Sequence, residues 1–161
     1  THHVYVAIIK SKNLDLAIEK MCEIGVTSFT PVICEYSQYK EISENRFARW
    51  RKIVIAASKQ SERKGIMKIN PAIKFNEIIN ITEAGYLLVS RQNDKSVPLT
   101  EVIQDIGSND QINSFIGPEG GFSKKEIQLA IDGGFQLVNF NKNILRTETA
   151  AIVWSGIVAS L

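Results

Sequence analysis

The chain has 161 residues, 44% of them hydrophobic and 22% charged, which is the composition of one ordinary globular domain with a real core. Nineteen Lys and Arg stand against 17 Asp and Glu, a net of +2, so attraction to nucleic acid has to come from local patches and not from the field of the whole molecule. Cys22 and Cys34 lack metal-ligand spacing and lie among apolar residues, which points to reduced core thiols and away from a disulfide framework. The start shows no signal-peptide pattern, so the expected compartment is the cytosol. His2 and His3 read as a disordered end or the remnant of a tag, in preference to a catalytic or metal pair.

In chain order, "VYVAII" at 4–9 has the short β-branched run of a buried strand. A helix follows over 14–24, where Leu14, Ala17, Ile18, Met21 and Ile24 recur at helical spacing and Gly25 supplies a left-handed stop. Residues 26–34 return to strand character, with Pro31 marking an irregularity or an edge. Between 44 and about 60, Phe47, Trp50, Ile53, Val54 and Ala57 line one face of a longer helix. Arg46, Arg49, Arg51 and Lys52 fall mostly on the other, as a solvated face or as phosphate contacts.

A short strand is expected at 67–71 and a clear buried one at 86–89. A short helix is expected over Leu99, Val102, Ile103 and Ile106, and another buried strand at 112–116. Ser123 and Glu126 form a capping box ahead of a helix that Gly133 and Gly134 end, and "FQLVNF" makes a further strand. This alternation predicts an α/β fold with a mostly parallel sheet. The last segment, "AAIVWSGIVASL", is well short of the roughly 20 residues that span a bilayer. It is apolar on nearly every side, so it is either sunk in the monomer core or covered by a partner subunit.

Two polar segments, "GPEGG" at 117–121 and "ILRTET" at 144–149, fall in loops just beyond strand ends, where open α/β sheets place their ligands. Gly117, Gly120 and Gly121 suit a tight turn, or close backbone approach to a ligand. Thr147 or Thr149 is the expected N-cap of the last helix. Arg146 sits at the wrong helix end for the dipole and calls for a carboxylate or a phosphate, with Glu119 the nearest motif carboxylate. There is no nucleotide fingerprint, no Ser-His-Asp or Cys-His set, and no spacing that implies a metal.

Together, "FIGPEGGFSKKEI" and "NILRTETAAI" resemble the signature of the SPOUT-class methyltransferases that modify N3 of a uridine in small-subunit ribosomal RNA, the RsmE family. Lys20, Glu23, Gly25 and Val26 match a second family segment, and Ala57, Gln60 and Arg63 a third. The resemblance implies a deep C-terminal trefoil knot, an exception to the usual unknotted chain. It also implies S-adenosylmethionine as cofactor, no metal, and a homodimer formed through the knot and the terminal helix.

Carried onto this sequence, the resemblance implies a cofactor site built from Leu88, Gly117, Pro118, Glu119, Gly120, Gly121, Phe140, Asn141, Ile144, Leu145, Arg146, Thr147, Thr149 and Ala150. Backbone groups of Asn141, Ile144 and Leu145 would read adenine. We expect Arg146 to stabilise charge developing at the uridine carbonyls, with Glu119 orienting it or the substrate. Lys59, Arg63, Arg91 and Lys142 are the expected RNA backbone contacts. Residues 1–161 would be the methyltransferase domain alone, without the PUA-like barrel that members usually carry ahead of it. Asn141, Asn143, Lys59 and Tyr36 stand where the family commonly has Gly, Arg, Glu and Arg.

Overall fold

Strand and helix alternate along the chain as the apolar patterning demands. The computed structural model describes residues 1–89, 95–107, 111–139 and 143–161. The elements in its first half are β1 (His2–Ala7), α1 (Ser11–Ile24), β2 (Ser28–Ile33), α2 (Glu44–Gln60), β3 (Lys68–Ile69), β4 (Ile73–Lys74) and α3 (Phe75–Ile81). The second half holds β5 (Tyr86–Val89), β6 (Val97–Pro98), α4 (Leu99–Asp105), β7 (Ile112–Ile116), α5 (Lys124–Asp132), β8 (Gln136–Asn139) and α6 (Thr147–Ala159). The sheet order is β3-β2-β1-β7-β5-β8-β6, with β4 beside β3 on the outer edge of β2. Each of these pairings is parallel.

Because strand side chains alternate, each central strand feeds two cores. Val4, Val6, Leu88, Ile116 and Val138 pack with Trp50 of α2 and Trp154 of α6 on one face. Ala7, Leu87, Phe115 and Leu137 pack with Phe75, Ile78 and Ala130 on the other. This two-sided burial explains why these strands read as continuous apolar runs.

The first strand begins before the predicted apolar run. His2 and His3 are part of β1, where His2 Nε2 shares a 2.9 Å hydrogen bond with Ser114 Oγ and His3 Nδ1 a 2.7 Å bond with Ser28 Oγ. The reading of these histidines as disordered or a tag remnant is therefore corrected. Burial holds the His2 pKa down at about 4, helped by the neighbouring His3 charge, so the ring is neutral in the core at pH 7. The same Ser114 oxygen accepts from Trp154 Nε1 at 2.6 Å, tying α6 to the sheet.

Gly25 ends α1 at φ 110, its amide reaching the Met21 and Cys22 carbonyls, as expected of a left-handed stop. Pro31 sits where the outer neighbour of β2 changes, between the β3 pairing at Ser28 and Phe29 and the β4 pairing at Val32 and Ile33. A residue without an N–H is tolerated at that break. Cys22 and Cys34 are both free and buried, and burial pushes the Cys34 thiol well up from its ordinary value.

Half of the basic run on α2 is structural. Arg46 donates to the Ile9 carbonyl at 2.8 Å and lies over the Trp50 ring, and Arg49 Nε meets Asp15 at 2.6 Å. Asp15 also accepts from Trp50 Nε1, which locks α2 onto α1. The last helix is not sunk on all sides: Ala151, Trp154, Ser155 and Val158 are buried, whereas Val153 remains 44% exposed. No helix among the described residues is long and apolar enough to cross a membrane.

Candidate functional site

β5 and β7 lie side by side, and their carboxyl ends open into a cleft. Its floor is apolar because the strands end in Leu88, Val89 and Ile116. The 117–121 loop forms one wall through Gly117, Pro118, Glu119 and Gly121, continued by Phe122. The opposite wall is Asn143, Ile144 and Leu145, followed by Thr147 and Ala150 in the first turn of α6.

The two walls are joined. Thr147 Oγ1 donates to the Gly117 carbonyl at 2.8 Å, so the strand-end glycine and the first residue of the last helix hold one geometry. Gly121 adopts φ +73, and its amide closes a turn on the Pro118 carbonyl at 2.8 Å. A Cβ on Gly117 would come within 3.0 Å of the Phe122 ring, which lines the same cleft. The capping box behind this loop is complete, with Ser123 N–H donating to Glu126 Oε2 and Glu126 N–H to Ser123 Oγ.

Leu88, Gly117, Pro118, Glu119, Gly121, Ile144, Leu145, Thr147 and Ala150 are thus brought to one cleft. Gly120, Arg146 and Thr149 are not among the residues lining it: Gly120 packs on Tyr36, and Arg146 is exposed as the N-cap of α6. The expected threonine cap is corrected, because Ala150 N–H bonds to the Arg146 carbonyl and the Thr147 hydroxyl is committed across the cleft. Among the described residues no ion pair joins Glu119 to Arg146. Phe140, Asn141, Arg91 and Lys142 lie outside the described residues. Val89, Ile116, Phe122 and Asn143 were missed by motif reasoning. Their signal was positional, since the first two end their strands and the third follows the glycine loop.

Lys59 and Arg63 are not brought to the cleft. Arg63 donates to the Cys22 carbonyl at 2.8 Å and twice to the Val26 carbonyl at 3.1 Å, beyond the C-terminus of α1. Thr27 next to it bonds to His2, so this end of the molecule holds the amino ends of the strands, opposite the cleft. Lys59 is exposed in the last turn of α2, near the same end. No group of three or more His, Cys, Asp or Glu among the described residues is placed to hold a metal ion.

An apolar floor, a glycine loop at close approach and a second loop held against it suit an adenosine-bearing sulfonium, whose ring packs on apolar side chains and whose polar edges meet backbone. The chain is 37% identical over 149 residues to ribosomal RNA small subunit methyltransferase E of Mesomycoplasma hyopneumoniae, covering 91% of this chain and 63% of that protein. The Synechocystis protein of the same name is 34% identical over 152 residues, 92% of this chain and 49% of its own length. The chain therefore spans about half to two thirds of the length of these relatives. A solved ribosomal RNA small subunit methyltransferase E from Neisseria gonorrhoeae, bound to S-adenosyl methionine, superposes with a TM-score of 0.82 at 32% identity over 97% of this chain and 64% of that one. The RNA methyltransferase domain family matches residues 1–159, and the chain belongs to that family.

Proposed function

We propose that this domain transfers the methyl group of S-adenosylmethionine to N3 of a uridine in small-subunit ribosomal RNA, in the cytosol. The observation that carries the reading is the cleft at the ends of β5 and β7, walled by two loops that the Thr147–Gly117 hydrogen bond holds together. Relatives named as small-subunit ribosomal RNA methyltransferases and a solved neighbour with S-adenosyl methionine bound support it. Leu88, Ile116, Ile144 and Leu145 would pack on the adenine, and the 117–121 loop would approach with its backbone.

The cofactor supplies an electrophilic methyl on sulfur. Transfer would leave the C–S electron pair on sulfur, giving S-adenosylhomocysteine, while the N3 proton would pass to water. The protein's own contribution is alignment of donor and acceptor, and positive charge near the uridine carbonyls from Arg146. Glu119, exposed at the rim, would orient Arg146 or the base.

The finer architecture belongs to the same proposal. After β8 the chain returns through the 143–147 segment, and α6 packs on β1 and α1, across the sheet from where it left. Such a return supports a deep trefoil knot. A homodimer through the knot and α6 would cover Val153, an apolar side chain that the monomer leaves exposed.

The test is calorimetric titration with S-adenosylmethionine, followed by methyl transfer to small-subunit particles lacking the modification, with the product nucleoside identified by mass spectrometry. The expected product is 3-methyluridine. Transfer to another base or to a ribose would replace the reaction, and a folded protein that binds no cofactor would make the domain non-catalytic.

A further inference from the structure

The glycine loop that walls the cleft has an aromatic ring packed beside it, on a rigid mount. A Cβ added to Gly120 would lie 3.2 Å from Tyr36 Cβ and 3.7 Å from its ring carbons Cγ and Cδ2, so the ring rests against the glycine loop. Even so, Tyr36 is 52% exposed. An exposed aromatic on a loose loop would need no explanation; this one sits on a turn fixed from several directions. Cys34 N–H donates to Ser37 Oγ at 3.1 Å, and Ser37 N–H returns to the Cys34 carbonyl at 3.2 Å. Lys40 Nζ bonds to the Cys34 and Glu35 carbonyls at 2.6 and 2.9 Å. Glu35 N–H donates to Glu126 Oε1 at 2.8 Å, and Glu126 completes the Ser123 capping box of α5, the helix that follows the glycine loop. The turn that bears the ring is therefore held against the glycine loop and α5 before any ligand arrives.

Beside this turn lies a second cavity, lined by Lys40, Lys74 and Lys125 together with Glu35 and Glu126. Lys74 and Lys125 are exposed and make no ion pair among the described residues. With a net charge of only +2, an anionic partner needs such a local patch.

Resting on the proposed reaction, we infer that Tyr36 is the stacking platform for a base of single-stranded RNA beside the glycine loop, with Lys74 and Lys125 taking the phosphates as the strand runs on. A fixed, half-exposed ring beside free cations matches what unpaired RNA offers: a π-face on every base and a charge on every linkage. The platform stands at the cleft end of the sheet, where Lys59 and Arg63 do not.

Methyl transfer to unmodified small-subunit particles is to be measured for Tyr36→Ala, Tyr36→Leu, Tyr36→Phe and Tyr36→Trp, with cofactor affinity by calorimetry. Loss of the ring in the Ala and Leu variants should raise KM for the particles about tenfold, while Phe and Trp stay near wild type and cofactor affinity is unmoved. A wild-type KM for Tyr36→Ala and Tyr36→Leu overturns the platform, as does an equal loss of cofactor affinity, which would make the ring a support for the loop. If the wild type transfers no methyl, the reaction fails on its own. The platform is then judged by quenching of 2-aminopurine in a uridine-rich single-stranded oligonucleotide, which wild type should produce and Tyr36→Ala should not. No quench by the wild type overturns it. Lys74→Ala with Lys125→Ala should lower the slope of log affinity against log salt by about 1.4, and an unchanged slope removes the lysines from the surface.

Discussion

The Thr147 hydroxyl donates a 2.8 Å hydrogen bond to the carbonyl of Gly117, thirty residues earlier in the chain. One partner directly follows a central strand and the other opens the last helix, so the bond ties together the two walls of the cleft. Thr147 is only 3% exposed, and water is a poor substitute there for the missing partner.

Thr147→Val keeps the shape and removes the donor. Stability should fall by about 1–2 kcal/mol, and S-adenosylmethionine affinity should fall severalfold as the walls separate. Thr147→Ser should restore both. Urea unfolding and calorimetry read the two effects, and a wild-type midpoint for the valine variant would show that the bond sets nothing.

Two glycines of the same loop should fail differently. A Cβ on Gly121 meets nothing within 4 Å, so Gly121→Ala costs only the left-handed backbone at φ +73, about 1–2 kcal/mol of stability. Gly117→Ala instead drives a methyl to 3.0 Å from the Phe122 ring, so it should mainly weaken cofactor binding. Comparing unfolding midpoints with calorimetric affinities checks the contrast, and equal profiles for the two variants would refute it.

What the sequence disclosed followed how local its cause was. The helix over 44–60 and the strands at 86–89 and 112–116 were legible because an apolar face or run is a local pattern. The Ser123–Glu126 box was legible for the same reason. The short strand expected at 67–71 holds β3, whereas β4 and β6 have two residues each, too few to show any period. His2 is buried by a serine 112 positions away, and nothing near it in sequence announces that. Thr147 looked like a cap because caps are read from neighbours, while its actual partner lies in another loop. Much of the cleft was legible through its glycine and threonine motifs, but Val89 and Ile116 were indistinguishable from core until the strands were placed.

Arg63 illustrates the same gap for charge. Its guanidinium holds the Cys22 and Val26 carbonyls around the end of α1, where orphan carbonyls and the negative end of the helix dipole favour a cation. Arg63→Ala should therefore cost about 2–3 kcal/mol in urea unfolding and leave RNA affinity of the folded protein unchanged. Arg63→Lys should recover part of the loss, because one ammonium cannot reproduce the fork. Wild-type stability with weakened RNA binding would return Arg63 to the RNA surface.

His2 makes stability depend on pH. Its folded pKa, about 4, lies below the ordinary value of 6.5, chiefly because burial disfavours the charged ring. Between those values the unfolded chain binds more protons than the folded one, so stability rises with pH across the window and falls as pH drops from 6.5 towards 4. The contribution is fully present above about 6.5 and reaches at most about 3 kcal/mol. His2→Gln should flatten that part of the stability profile relative to wild type, whatever its effect at pH 8. Parallel wild-type and variant profiles from pH 8 to pH 4 would show that the imidazole is not the group responsible.

Arg146 lies between Leu145 and Thr147, both of which line the cleft, and it is exposed with no ion-pair partner among the described residues. As the N-cap of α6 it places a cation at the positive end of a helix dipole, so it does not serve stability. Arg146→Ala should therefore leave the unfolding midpoint unchanged or slightly raised, by up to about 1 kcal/mol. If the guanidinium meets charge that develops only as the methyl is transferred, kcat should fall about a hundredfold while cofactor affinity changes little. Arg146→Lys should keep part of the rate, since the charge remains but the planar fork is lost. Single-turnover kinetics with calorimetry separate these terms, and a loss confined to cofactor affinity would make Arg146 a binding residue with no part in the chemical step.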